Sequence, residues 1–514
     1  MRSIGTACLL VAAVMLGGVA TAQMKPEDAT PANAGTPPET AVDSAKRRAQ
    51  VASEAAAAGT AAREAFAAGR YNEAASLFAR ERQLRPGDYL ATYNLACALS
   101  LAGDADGAAG MLIEAIEEGF CDLRLMQRDG AIVPLLERAE VARVVAQWPK
   151  VLEARRDANI KQAESIYVNG YATISDDPLR LTYRSGFDAK AFEEARAELS
   201  RLAAWADAGV LKGVLDQDAS IMDPWVTVIL PTPNDFTRWA VTKFGLDAVE
   251  GVSGIGGSYD HDSRQLVAMD LGSTLRHEFF HVLHWRDMDR RGQRHPIWVM
   301  EGLCSLVEDY DLTADGALVP ATSWRTNIAK RMEKSNGLMP LEKFLVLPQM
   351  KFTGSRPLAN YAQARALFLF LSDRGLLEAW YAAFTAGFDE EPTGRGAFEK
   401  VFGDPLSGVE AEFRQWLRAV PNVAEEIKPG MASLGIEVES GGGDGLRVIG
   451  FSRKRSEVKD LKLGDVITSV KQRPTRDMAE LVRVLGSLKP GETVTVGFRR
   501  GKRNATAECV LIAK

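Results

Sequence analysis

The chain has 514 residues, of which 46% are hydrophobic and 25% charged, with a formal net charge of −6. That is enough apolar sequence for large buried cores and enough length for about three domains. The mild acidity gives no reason to expect nucleic acid as a partner. Met1 and Arg2 precede the apolar run Ala7 to Val19, and Ala20-Thr21-Ala22 follows, the layout of a secretory signal peptide cleaved before Gln23. The chain is therefore expected to be exported, periplasmic or secreted. The rival is an uncleaved anchor, the only route to a membrane here, because the apolar stretch is nearly long enough to span one. Residues 23–50 are expected to be a flexible linker: Met24 to Ser44 is rich in Pro, Ala, Thr and acids and has almost nothing to bury.

A repeat follows over residues 51–150. Ala62, Gly69 and Ala74 recur as Ala96, Gly103 and Ala108, each 34 positions on, and Phe78 is answered by Leu112. Small residues at this period let paired helices approach closely, and the pattern resembles tetratricopeptide repeats. Leu123 to Val145 would supply a degenerate third unit or a cap. The resemblance implies a concave groove for a partner peptide; a rigid spacer is the alternative use.

Residues 151–428 carry the chemistry. Trp225 to Leu230 and Gln265 to Met269 read as short strands. Between them, Gly254-Ile255-Gly256-Gly257-Ser258-Tyr259-Asp260 is glycine-rich. All five histidines lie between His261 and His295, and His277-Glu278-Phe279-Phe280-His281 is an HExxH motif. A helix advances about 100° per residue, so the two histidines sit on one face and reach a single ion, with Glu278 beside them to take a proton from water. Zinc lowers the pKa of such a water toward about 7. Leu275, Phe279, Val282 and Leu283 form the apolar stripe that would bury the opposite face. A catalytic zinc needs a third protein ligand. His284, His295 and a later acid are candidates. Glu301 is the best placed of these, because Pro296 suits the first turn of a second helix that would fold back on the first. His284 is read as packing against, or hydrogen-bonding behind, the ligands.

HExxH followed by Trp298-x-x-Glu301-Gly302 resembles the gluzincin, or peptidase MA-like, metallopeptidases. The resemblance implies a thermolysin-like catalytic domain, a small β-sheet over a helical lower half. It also implies Zn2+ held by His277, His281 and Glu301, Glu278 as the base, and peptide-bond hydrolysis. Gly254, Gly256 and Gly257 are similar to the edge strand that pairs with the substrate backbone in such enzymes, a plain hairpin turn being the alternative. The chain has no glutamate between Gly251 and Ser258 to hold a free amine, which favours endopeptidase over aminopeptidase activity. Tyr361, in Ala359 to Ala364, resembles the tyrosine that donates to the oxyanion and is a second catalytic candidate; packing is its other reading, and His261 and His295 are other donors. Amphipathic helices, including Leu406 to Val420, complete this domain.

Residues 429–514 have their own signature. Ser433 to Val438, Leu461 to Ile467, a helix around Met478 to Leu488 and Lys489 to Val496 together resemble a PDZ domain of the protease-associated kind. The resemblance implies that Leu434, Gly435 and Ile436 offer N–H groups to a C-terminal carboxylate and that the following strand pairs with the peptide; an intramolecular lid is an equal use. Val470 to Pro474 departs from the pattern, since Asn-Gly is common at that turn. Cys97, Cys121, Cys304 and Cys509 show no cluster spacing and read as buried thiols. The expectation is a multidomain α+β chain: an exported zinc peptidase whose repeat and PDZ modules recruit or gate protein substrates. The alternative is a catalytically inactive scaffold that binds proteins through the same modules.

Overall fold

The computed structural model describes residues 41–215, 225–244, 256–440, 442–452 and 460–514. The expected signal peptide and Gly254 lie outside these residues. No described helix is long and apolar enough to cross a membrane. The chain forms two compact units, residues 1–159 with 237–252, and residues 160–236 with 253–514.

In the first unit, helices α1 (Ala41–Ala67), α2 (Tyr71–Leu84), α3 (Tyr89–Ala102) and α4 (Ala105–Glu118) pack in succession. The first begins ahead of residue 51, inside the segment expected as linker, because Ala41 onward is rich in Ala, Arg and Glu and contains no proline. The repeated positions occupy equivalent places. Ala62, Ala74, Ala96 and Ala108 are fully buried, as are Phe78 and Leu112. Gly69 and Gly103 each turn the chain between helices with a left-handed φ, of 75° and 91°. Leu123 to Val145 forms three short helices.

The second unit is built on a five-stranded mixed sheet of β1 (Ala172–Asp176), β2 (Leu181–Ser185), β3 (Val226–Leu230), β4 (Gly257–Asp260) and β5 (Gln265–Ala268). Their order is β1-β2-β3-β5-β4, with β2, β3 and β5 parallel and β4 antiparallel to β5 as the terminal strand. Helix α5 (Ala189–Ala208) contributes Phe192, Leu199 and Leu202 to the core under this sheet. Helix α6 (Ser273–Arg291), the HExxH helix, adds Leu275, Phe279, Val282 and Leu283, all fully buried. Burying those four side chains contributes roughly 2 kcal/mol each. The stripe that the sequence shows is thus the one that fixes the helix's rotation. Helices α7 (Ile297–Leu306), α8 (Trp324–Lys334), α9 (Pro357–Asp373), α10 (Leu377–Ala386), α11 (Arg395–Phe402) and α12 (Leu406–Ala419) form the helical half.

The C-terminal domain has its own core, which includes Leu446, Ile467, Leu481, Val484 and Val496. Its sheet contains β6 (Ile436–Ser440), β7 (Leu446–Phe451), β8 (Val466–Val470), β9 (Thr493–Arg500) and β10 (Arg503–Val510), in the order β10-β9-β8-β7-β6. Strand β6 is terminal. Helix α13 (Met478–Gly486) is capped by Asp477, whose side chain accepts from the Glu480 N–H. At the turn after β8, Lys471 and Gln472 both take positive φ, 51° and 61°. The hairpin keeps the geometry that Asn-Gly would adopt, at the steric cost of two side chains in the left-handed region.

Candidate metal centre

The site begins with two helices that pack closely, α7 and α9. Gly302 allows the approach: a Cβ there would lie 2.5 Å from Cδ2 of Phe368. Trp298 fixes the start of α7. It is fully buried, stacks on Phe368 with centroids 5.4 Å apart, and donates its indole N–H to the Thr393 carbonyl at 3.2 Å. Tryptophan and glycine thus set the depth of α7, and Glu301 between them is presented to the face of α6 that carries the histidines.

Ligand atoms of His277, His281 and Glu301 all lie within 4.8 Å of one another. Oε2 of Glu301 stands 3.2 Å from His277 Nε2 and 3.5 Å from His281 Nε2. A tetrahedral zinc with ligands at 2.0–2.1 Å has edges of about 3.3 Å, so this spacing fits the ion. Oε2 is also buried and has no hydrogen-bond partner among the described residues. A buried carboxylate oxygen left without a donor is costly unless a cation takes its place. Burial would raise the Glu301 carboxyl, but the imidazoles of His281 and His277 outweigh it and hold it well below the ordinary carboxylate range.

Behind the first ligand, His277 Nδ1 is 2.9 Å from Glu308 Oε1. Arg325 clamps the same carboxylate in two-pronged fashion, Nε to Oε2 at 2.6 Å and Nη2 to Oε1 at 3.1 Å. Burial opposes its charge, yet Arg325 and His277 keep the Glu308 carboxyl down at about 2. A fixed anion at Nδ1 favours the proton on that nitrogen, which would leave the Nε2 lone pair for a cation held with Glu301.

Glu278 sits against the terminal strand. A Cβ on Gly257 would lie 2.4 Å from the Val267 carbonyl and 2.9 Å from Cγ of Glu278, and one on Gly256 would lie 2.7 Å from Thr274 Oγ1. Only glycine lets β4 run this close to the Glu278 side chain. Burial raises the Glu278 carboxyl, while His277, His281 and a backbone bond from Tyr259 oppose the rise. That direction suits a group that must accept a proton near neutral pH. Tyr361, in the first turns of α9, lies 6.4 Å, ring to ring, from His277, and burial pushes its hydroxyl well above the ordinary range.

The other histidines are elsewhere. His261 stacks on Trp285 with centroids 4.1 Å apart. His284 Nε2 is 2.8 Å from His295 Nδ1, and both rings are buried beside Tyr381. They brace α6 against α10 and are remote from Glu301 in role.

Four residues that bear on the centre were not singled out from the sequence: Glu308, Arg325, Arg276 and Glu480. Arg276, next to His277, is fully buried and reaches Glu198 at 3.3 Å, the Val307 carbonyl at 3.3 Å, the Glu308 carbonyl and Glu480 of the C-terminal domain. Arg476 completes the cluster on Glu198. Beside it, Arg483 meets Asp309 at 3.3 Å and Asp311 at 2.9 Å, and Arg473 reaches Asp311 at 2.7 Å. Helix α13 is therefore tied to Arg276 of the histidine helix through Glu480, and to Asp309 and Asp311, beyond the end of α7, through Arg483. Among the described residues, Cys97, Cys121, Cys304 and Cys509 are buried and form no disulfide.

In the C-terminal domain, Gly435 has φ 68° and donates its N–H to Ser433 Oγ at 3.1 Å, while Leu434 is buried and Ile436 opens β6. These three residues form one loop at the entrance to the terminal strand.

No curated protein matches the chain. Among solved structures it is similar to the crystal structure of an aminopeptidase N family protein from Idiomarina loihiensis, at 13% identity and a TM-score of 0.27, with 67% of each chain covered. A family model described as PDZ domain matches residues 432–511. The C-terminal domain of this chain is therefore a PDZ domain, a kind of module that binds peptide C-termini, and the chain's partners include proteins or peptides.

Proposed function

We propose that the chain is an exported zinc-dependent peptidase of the gluzincin kind, an endopeptidase rather than an aminopeptidase, with tetratricopeptide-like and PDZ modules that recruit protein substrates. One observation carries the reading: ligand atoms of His277, His281 and Glu301 converge within 4.8 Å, both imidazoles 3.2–3.5 Å from one Glu301 oxygen, with Glu278 beside them and Glu308 behind. Bound zinc would supply Lewis acidity toward a peptide carbonyl and toward water. The chain's own residues do the rest. Glu278 takes the proton from the attacking water and can pass it to the leaving amine. Strand β4 orients an extended backbone across the base. Tyr361, its ring 6.4 Å from that of His277, would donate its hydroxyl to the oxyanion.

The test is zinc content by elemental analysis of the chain lacking residues 1–22, together with casein cleavage by wild type and Glu278→Gln. One zinc per chain and cleavage that disappears in the variant while zinc stays bound are the expected results. Absence of zinc would sink the reading and leave a binding scaffold.

A further inference from the structure

The two terminal strands of this unit, β4 beside the base and β6 in the PDZ domain, meet at one point. Gly443, in the turn after β6, accepts a hydrogen bond from Leu271 N–H at 2.6 Å. A Cβ on Gly443 would lie 2.5 Å from the Met269 carbonyl. Met269 in turn donates its N–H to Gly256, which leads into β4, at 2.9 Å. The downstream end of β6 therefore abuts the upstream end of β4.

Polarity makes the junction informative. A peptide whose carboxylate sits at the Leu434–Ile436 loop must run antiparallel to β6, so its upstream residues leave at Ser440, beside this junction. A peptide adding to β4 in the antiparallel sense enters at Asp260, passes Glu278 at Gly257 and leaves there with its C-terminal part, at the same junction. One chain can lie on both edges without reversing direction. Had the β6–β7 turn met the Asp260 end of β4, the two polarities would conflict.

We propose, resting on the peptidase reading, that the substrate is the extended, unstructured C-terminal tail of a protein, anchored by its free carboxylate on β6 and drawn in register across β4 of the same molecule. The PDZ domain then acts as a ruler. About five residues pair with β6, and the crossing by way of Gly443, Met269 and Gly256 takes about five to ten more at ~3.3 Å per residue. Cleavage falls about ten to fifteen residues before the C-terminus. The ion pairs of Glu480 with Arg276 and of Arg483 with Asp309 hold α13 against the peptidase part and keep the distance constant.

The experiment uses the full chain carrying Glu278→Gln and a 24-residue polar peptide with an apolar C-terminal residue, made as free acid and as amide, with a benzophenone moved along it. Free acid is expected to bind at least tenfold more tightly than amide. Probes in the last five residues should label the tryptic fragment containing Ile436–Ser440, and probes about ten to fifteen residues upstream the fragment containing Gly257. With wild type, inserting three residues near the peptide's C-terminus should move the scissile bond three residues toward that end. Equal binding of acid and amide, upstream label elsewhere, or cleavage that stays at one sequence whatever the tail length would overturn the proposal while leaving the peptidase reading intact. Correct labelling with no cleavage of any peptide by a zinc-loaded wild type would sustain the anchoring and sink the peptidase reading instead.

Discussion

Replacing Glu308 with glutamine isolates the contribution of the group behind the metal ligand. The side chain keeps its shape, but its single remaining carbonyl oxygen must serve both Arg325 and the His277 Nδ1–H, which the carboxylate now meets with two oxygens at 2.6–3.1 Å. Losing the charge also removes the anion that sets the imidazole tautomer. Such partners are worth about 10–100-fold in metal affinity, or about 1.4–2.7 kcal/mol. The assay is competition for zinc with a chromophoric chelator at pH 7, in parallel for wild type, Glu308→Gln and Arg325→Gln. Arg325→Gln breaks the same ion pair without touching His277, so it reports the purely structural part. The expected order of zinc affinity is wild type, then Arg325→Gln, then Glu308→Gln. A Glu308→Gln affinity within about threefold of wild type, or equal losses in both variants, would refute the claim that Glu308 acts through the ligand.

Two further outcomes follow from the buried charges. Glu480→Ala leaves Arg276 with Glu198 as its one carboxylate partner, shared with Arg476, which otherwise reaches only the part-exposed Glu194 at 3.9 Å; it should cost about 3–5 kcal/mol and expose the segment before the PDZ domain to protease, read by denaturant unfolding and limited proteolysis. Burial holds His284 and His295 neutral, at about 3 and about 2, with Asp287 opposing for the former and His284, Arg291 and Arg294 reinforcing for the latter. Both imidazoles are thus depressed below their unfolded value of 6.5, so the unfolded chain binds more protons between these limits. Stability is full above pH 6.5 and falls as pH drops toward 3, by roughly 2 kcal/mol per histidine at pH 5. Unfolding midpoints from pH 7 to pH 4.5 check this, and a flat profile would contradict the neutral buried pair.

The centre was legible in the sequence wherever local periodicity encodes it. Leu275, Phe279, Val282 and Leu283 mark the buried side of α6, which leaves His277 and His281 together on another, and Pro296 announces the helix that returns Glu301. Small residues at a fixed period likewise mark Ala62, Ala74, Ala96 and Ala108 as packing positions, and all are buried. Charged residues with distant partners were not legible. Arg276 looks like an exposed residue in a polar helix until Glu480, far along the chain, is folded against it. Glu308 had a faint signal, two helical turns beyond Glu301 and hence on the same side, though α7 ends just before it. Strands β1 and β2 and helix α5 were missed. Leu181 to Ser185 is short and mixed, and only its parallel pairing with β3 shows why Thr182 and Ser185 are buried.

The ion pairs of α13 with Arg276 and Asp309 also bear on how far this chain can be taken apart. A sequence boundary near residue 429 suggests a peptidase that could be inherited, swapped or expressed without its C-terminal module. The energetic boundary lies elsewhere. Removing the module would take Glu480 from Arg276, next to His277, and leave it Glu198 alone; it would take Arg483 from Asp309, next to Glu308, and leave it only Arg365 at 4.0 Å. The residues behind the candidate centre thus share their buried charges with the C-terminal module, so a cut at residue 429 would be felt there.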